Sequence, residues 1–124
     1  MSPALVTQIL ARLILVIQVV LGVLFWTGNA GSLVIVHIAV GLILVLDLWA
    51  AIALGLRAGA PLGLAALALV WSIGMPVFGL IQTGLLPGSA HVVIQVLHLL
   101  VGVAAVGLVE ALARAPRRAA QAGT

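Results

Sequence analysis

Four apolar runs, each long enough to cross a bilayer and separated by breaks of only a few residues, dominate this sequence. A span needs about 20 mostly apolar residues, and the runs fall at 4–27, 32–56, 61–83 and 89–113. The breaks carry turn chemistry: Thr27-Gly28-Asn29-Ala30-Gly31 and Leu86-Pro87-Gly88-Ser89 combine glycine or proline with cap-competent Asn or Ser. Arg57-Ala58-Gly59-Ala60-Pro61 ends with proline at a helix start. Tight breaks join antiparallel neighbours, so the sequence predicts an all-α integral membrane four-helix bundle. Positions 1–114 form the transmembrane domain and 115–124 a short basic tail, which leaves no stretch for an extramembrane domain.

Composition excludes the competing classes. With 65% hydrophobic and 6% charged residues, the chain cannot clothe a soluble domain, which carries about 25% charge. The high pI comes from a handful of arginines rather than an aromatic-interleaved basic surface, so nucleic acid is excluded as a partner. The absence of cysteine removes disulfides, thiolate-held iron–sulfur clusters, zinc ribbons and covalent c-type haem attachment. The first run is too long for the apolar region of a signal peptide and has no basic stretch before it, so it is expected to stay as a helix.

An even number of spans puts both termini and the second loop on one side of the membrane. That side carries Arg57, Arg114, Arg117 and Arg118, whereas the first and third loops carry no basic residue. The positive-inside bias then predicts a cell-membrane protein with both termini cytoplasmic (N-in, C-in). The tail after Pro116 reads as a disordered orientation anchor.

Ionisable side chains within spans are costly and tend to face the bundle interior with a partner. Arg12 and Asp47 lie at similar depths from the cytoplasmic ends of their helices, so an Arg12–Asp47 ion pair is expected, either fixing helix register or relaying protons. Glu110, near the same rim, is expected to meet Arg57, Arg114 or water and is given no chemistry.

The histidines fall in the outer halves of the even-numbered helices. On the fourth helix His91, Gln95, His98, Gly102 and Ala105 form one narrow inward stripe. On the second, Gly41 follows His37 by one turn and offers a smooth notch where a flat ligand could lie, although small residues also serve plain helix packing. By rise per residue, His37 lies roughly 8 Å below the outer rim, His98 roughly 14 Å and His91 roughly 3 Å. Depth therefore lets His37 pair with either His98 or His91, and burial favours His98. Zinc or copper sites want three or four converging ligands, and neither thiol nor carboxylate lies at histidine depth. Haem needs only two axial ligands, and its apolar faces suit Leu, Ile, Val and Gly walls.

Gln18-x-x-x-Gly22, His37-x-x-x-Gly41 and Gln95-x-x-His98 resemble one four-helix half of the haem A synthase family and, more loosely, small b-type membrane cytochromes. The resemblance covers nearly the whole chain in topology and few residues in identity. It implies His37 and His98 as axial ligands near the outer side, with His91 at the rim and Gln82 and Thr83 nearby. The family's reactive half resembles a site with a carboxylate beside the histidines; this chain has one half and no outer acid, so haem hydroxylation is not expected. A homodimer would rebuild an eight-helix arrangement. His37, Gly41 and Asp47 also look loosely like the haem helix of the succinate dehydrogenase membrane anchor, a class that usually has three spans.

The leading expectation is a b-type haem protein with one haem b per chain, cofactor-binding residues His37, His98, Gly41, Gln95 and Gly102, and His91 as alternative ligand. A six-coordinate iron favours electron transfer over catalysis, with a quinone or a redox membrane partner exchanging electrons in a membrane cytochrome or oxidoreductase subunit. A second reading is a small proton-coupled transporter using Arg12, Asp47 and the histidine stripe, although small multidrug transporters resemble proteins with a first-helix glutamate, absent here. A third is a non-catalytic accessory subunit whose histidines only hydrogen-bond. Trp26 reads as an interfacial anchor, Trp49 and Trp71 as packing, and Pro76 as a kink.

Overall fold

The computed structural model describes the backbone of residues 1–122 and the side chains of residues 1–115. Within them the chain forms α1 (Pro3–Trp26), α2 (Val34–Arg57), α3 (Leu62–Ile81) and α4 (His91–Ala122). Single 3-10 turns at Gly31–Leu33 and Gly88–Ala90 lead into α2 and α4, and a third at Gln82–Gly84 follows α3. All four helices are long and apolar enough to cross a membrane, which fits a multi-pass membrane protein. The expected spans agree with the helices to within a few residues except at the end of α4, which runs on to Ala122, so the backbone of the tail is helical there and not disordered as expected. The side chains of the basic tail, Arg117 and Arg118 among them, lie outside the described residues.

Local chemistry explains where each helix begins and ends. Ser2 caps α1 by accepting a hydrogen bond from the Leu5 amide (3.3 Å), and Pro3 sits where a helix lacks an intrahelical N–H partner anyway. α2 stops at a left-handed Gly59 (φ +87°). There the Ala60 amide reaches back to the Gly55 carbonyl (2.8 Å) and the Gly59 amide to Leu56 (3.1 Å), a wrap that satisfies the last carbonyls before Pro61 opens α3. Asn29 does not cap α2; its amide nitrogen donates back to the Thr27 carbonyl (3.2 Å) and hydroxyl (3.1 Å).

α2 and α4 pack directly on one another along the short diagonal of the bundle, and α1 and α3 each lie against both. The core sits in the half that carries the chain termini. Ala11, Leu48, Ala68, Ala105, Val109 and Leu112 are sealed there, and the alanines let the backbones approach closely, as membrane helices require where lipid supplies no hydrophobic drive. Beyond Leu44 and Met75, toward the first and third loops, only Leu21 and Ile94 among the apolar side chains are buried. The bundle is thus tightly packed at its terminal half and looser at its loop half.

Two tryptophans do more than fill space. Trp49 donates its indole N–H to the Ser72 hydroxyl (2.8 Å), which donates to the Leu69 carbonyl (2.7 Å), and Trp71 donates to the Val101 carbonyl (3.0 Å). These bonds stitch α3 to α2 on one side and to α4 on the other.

Candidate cofactor site

In the loosely packed half, His37 of α2 and His98 of α4 face each other with ring centroids 6.0 Å apart. Phe25 of α1 meets His37 edge-on at 5.4 Å, and Phe78 of α3 lies 5.8 Å from His98, so every helix contributes a ring or a ring's support. Both Nδ1 atoms are buried without a hydrogen-bond partner among the described residues. An orphaned polar atom of this kind costs about 1–3 kcal/mol, and two in adjacent rings concentrate that cost at one place.

The neighbours show how the rings are held. Gln18 donates from Nε2 to the His37 carbonyl (3.0 Å), and a Cβ added at Gly41 would lie 3.0 Å from the same nitrogen. The notch at Gly41 is therefore filled by the Gln18 amide, which corrects the expectation that a flat ligand rests there. A Cβ added at Gly79 would come within 3.2 Å of His98 Cε1, so glycine at 79 lets the imidazole lie against α3. Gly102 and Gly22 are half-buried, yet a Cβ at either would meet nothing within 4 Å. Gln95 is half-buried on the His98 side of α4 and makes no side-chain hydrogen bond among the described residues.

The structure brings His98, not His91, to His37. The His91 ring is engaged at the rim, its Nδ1 2.9 Å from the Leu85 carbonyl in the third loop. Gly79, Phe25 and Phe78 escaped the sequence reading. Their only signal is depth, since 78 and 79 lie a turn or less from the loop end of α3, at the level of the histidines, and depth does not say which way a side chain points.

The Arg12–Asp47 pair is not formed. Arg12 Nε donates to Glu110 Oε1 (2.6 Å), Arg114 donates to Oε2 (2.7 Å), and Gln8 donates to the same Oε2 (2.8 Å). Arg12 lies on the exposed side of α1 and reaches along the helix toward the rim, as long cationic chains do, whereas Asp47 points into the bundle and is 5% exposed. Equal depth was met; shared facing was not. Asp47 Oδ2 is buried and unpartnered among the described residues.

Among the described residues no group of three or more His, Cys, Asp or Glu side chains converges, so the pair offers two ligands and no more. Two imidazoles that share one metal from opposite sides through bonds of about 2 Å would hold their ring centroids about 6 Å apart; these rings stand 6.0 Å apart and are tilted by 46°. The two facing imidazoles and their aromatic flanks are a donor set of the kind that a bis-histidine haem would use. What these features define is an all-helical membrane bundle with a two-histidine centre in its looser half. Comparison with known family models, curated proteins and solved structures found no match for the chain.

Proposed function

We propose that this protein is a b-type haem-binding membrane protein, with His37 and His98 as the axial ligands of one haem b and electron transfer as its activity. The observation that carries the reading is the facing pair of imidazoles, 6.0 Å apart, each with a buried and unpartnered Nδ1. Haem supplies reversible one-electron chemistry, and with both axial positions held by protein it offers no open coordination site. The chain's own residues provide the rest. Gln18 ties α1 to the His37 backbone, Gly79 admits the His98 ring, and Phe25 and Phe78 each stand against one ring of the pair. Gly102, on the same face as His98, leaves a small-residue wall.

Arg57 and Arg114 support a cytoplasmic terminal rim by the positive-inside bias, which would put the histidines toward the outer side of the cell membrane. The electron partner is then a quinone or another redox protein of the membrane. The test is the visible spectrum of the detergent-purified protein, oxidised and dithionite-reduced, with a pyridine haemochrome for stoichiometry. One low-spin b-type haem per chain is expected. A colourless protein from cells supplied with ample haem overturns the reading.

Asp47 supports a second reading, proton-coupled transport, because a carboxyl within a span whose buried Oδ2 has no partner among the described residues is a functional marker by default. Arg12 no longer belongs to that pathway, being held by Glu110. If the protein is colourless, pH-gradient-driven uptake in vesicles, abolished in Asp47→Asn, is the assay that decides for transport.

A further inference from the structure

At the terminal rim, between α1 and α4, a groove of about 440 Å³ is lined by Ser2, Leu5, Gln8, Arg12 and Arg114. Behind the two arginines that line it, a single carboxylate, Glu110, is shared by both guanidinium groups. Glu110 Oε1 takes Arg12, and Oε2 takes Arg114 and Gln8, so both oxygens are committed and the cluster keeps a net charge of one positive unit. The carboxylate lies beneath and the cations above: the Glu110 side chain is 16% exposed, against 56% for Arg12 and 54% for Arg114. Each guanidinium has five N–H donors, and Glu110 takes only a few of them.

A positive cluster this exposed, on a helix that crosses a membrane, is unstable against hydrocarbon unless water or an anion covers it. Arg12 is nine residues into α1, about 14 Å along the helix axis, so its Cα lies well inside the span. On the surface around it Leu5, Ile9 and Val16, at seven and three residues before and four after, are all exposed. The lipid-facing stripe of α1 is therefore apolar above and below one arginine. A ligand that satisfies both features carries a negatively charged phosphate and apolar chains.

We infer that the groove between α1 and α4 is a binding site for a phosphate group, recognised by Arg12 and Arg114 over Glu110, and that an anionic phospholipid supplies it. The phosphate oxygens take the guanidinium donors that Glu110 leaves free, an arrangement for which arginine's planar fork is suited. The acyl chains run from there toward the bilayer centre along exposed Val16 and Val20. The inference needs the bundle to be in a membrane and is independent of haem, since the groove is at the opposite end from the histidines.

The experiment is native mass spectrometry of the full-length protein released from non-ionic detergent, offered equal dioleoyl phosphatidylglycerol and dioleoyl phosphatidylcholine. A basic residue near a lipid surface changes binding by about fivefold, so Arg12→Gln and Arg114→Gln should each reduce the preference for phosphatidylglycerol by about that factor. Arg57→Gln, which removes the same charge outside the groove, should leave it unchanged. Arg114→Gln alters an exposed i,i+4 pair and is not expected to disturb folding, so it reports on the site even if Arg12→Gln misfolds. No preference in the parent protein, or equal loss in Arg57→Gln, overturns the site. Displacement of the lipid by millimolar inorganic phosphate keeps the phosphate site but overturns its assignment to a phospholipid.

Discussion

At the scale of single residues, the histidines separate by what each ring touches. His98→Ala should reduce haem per chain to near zero by pyridine haemochrome while the protein still inserts and purifies, and His37→Ala should do the same. His91→Ala should leave the stoichiometry unchanged, because that ring is bonded to the Leu85 carbonyl at the rim. Retained low-spin haem in His98→Ala with loss in His91→Ala would reverse the ligand assignment. Gly79 gives a subtler test, since it is no ligand. Alanine there places a Cβ 3.2 Å from His98 Cε1 and forces the ring to give by a few tenths of an ångström, so haem retention through dialysis should fall. Alanine at Gly74, where an added Cβ meets nothing within 4 Å, should not change it. Equal effects at both glycines would mean that helix stability, not access to His98, is being read.

At the scale of elements, the helices were readable because the bilayer fixes their length and the breaks carry their own punctuation. Gly59 ends α2 as the Arg57–Pro61 stretch predicts, and α1 starts at a Ser-Pro pair. What was not readable is rotation about each helix axis. Depth put Arg12 level with Asp47 and left His37 with two candidates, but only packing decides which side of a helix meets which neighbour. The roles of Trp49 and Trp71 were missed for the same reason: a Trp within a span reads as packing until its N–H is aimed at Ser72 or at the Val101 carbonyl. Trp49→Phe should therefore destabilise the α2–α3 contact by about 0.6–1.7 kcal/mol, the range for hydrogen bonds between membrane helices. Denaturant titration in mixed micelles measures it. Because Trp49 and Ser72 are partners, the double variant with Ser72→Ala should cost less than the two single variants added together.

At the scale of the whole molecule, the uneven packing would tie the stability of the loop half to the proposed haem. The terminal half holds nearly all of the sealed core, from Ala11 and Leu48 to Val109 and Leu112, while the loop half has few buried apolar side chains and two orphaned imidazole nitrogens. Local stability follows local burial, so the two halves should open separately. A ligand that binds only the closed loop half then adds its binding free energy there, about 2.7 kcal/mol when its free concentration is one hundred times Kd. Hydrogen exchange read by mass spectrometry should show α1 beyond Gln18, the first turns of α2 and α4 and the last turns of α3 exchanging faster than the terminal half in haem-free protein. Haem loading should slow exchange in those segments alone and raise the melting temperature. His98→Ala, treated identically, should show neither change. Protection spread evenly over both halves would mean that the bundle opens as one unit, and the packing difference would then have no part in cofactor binding.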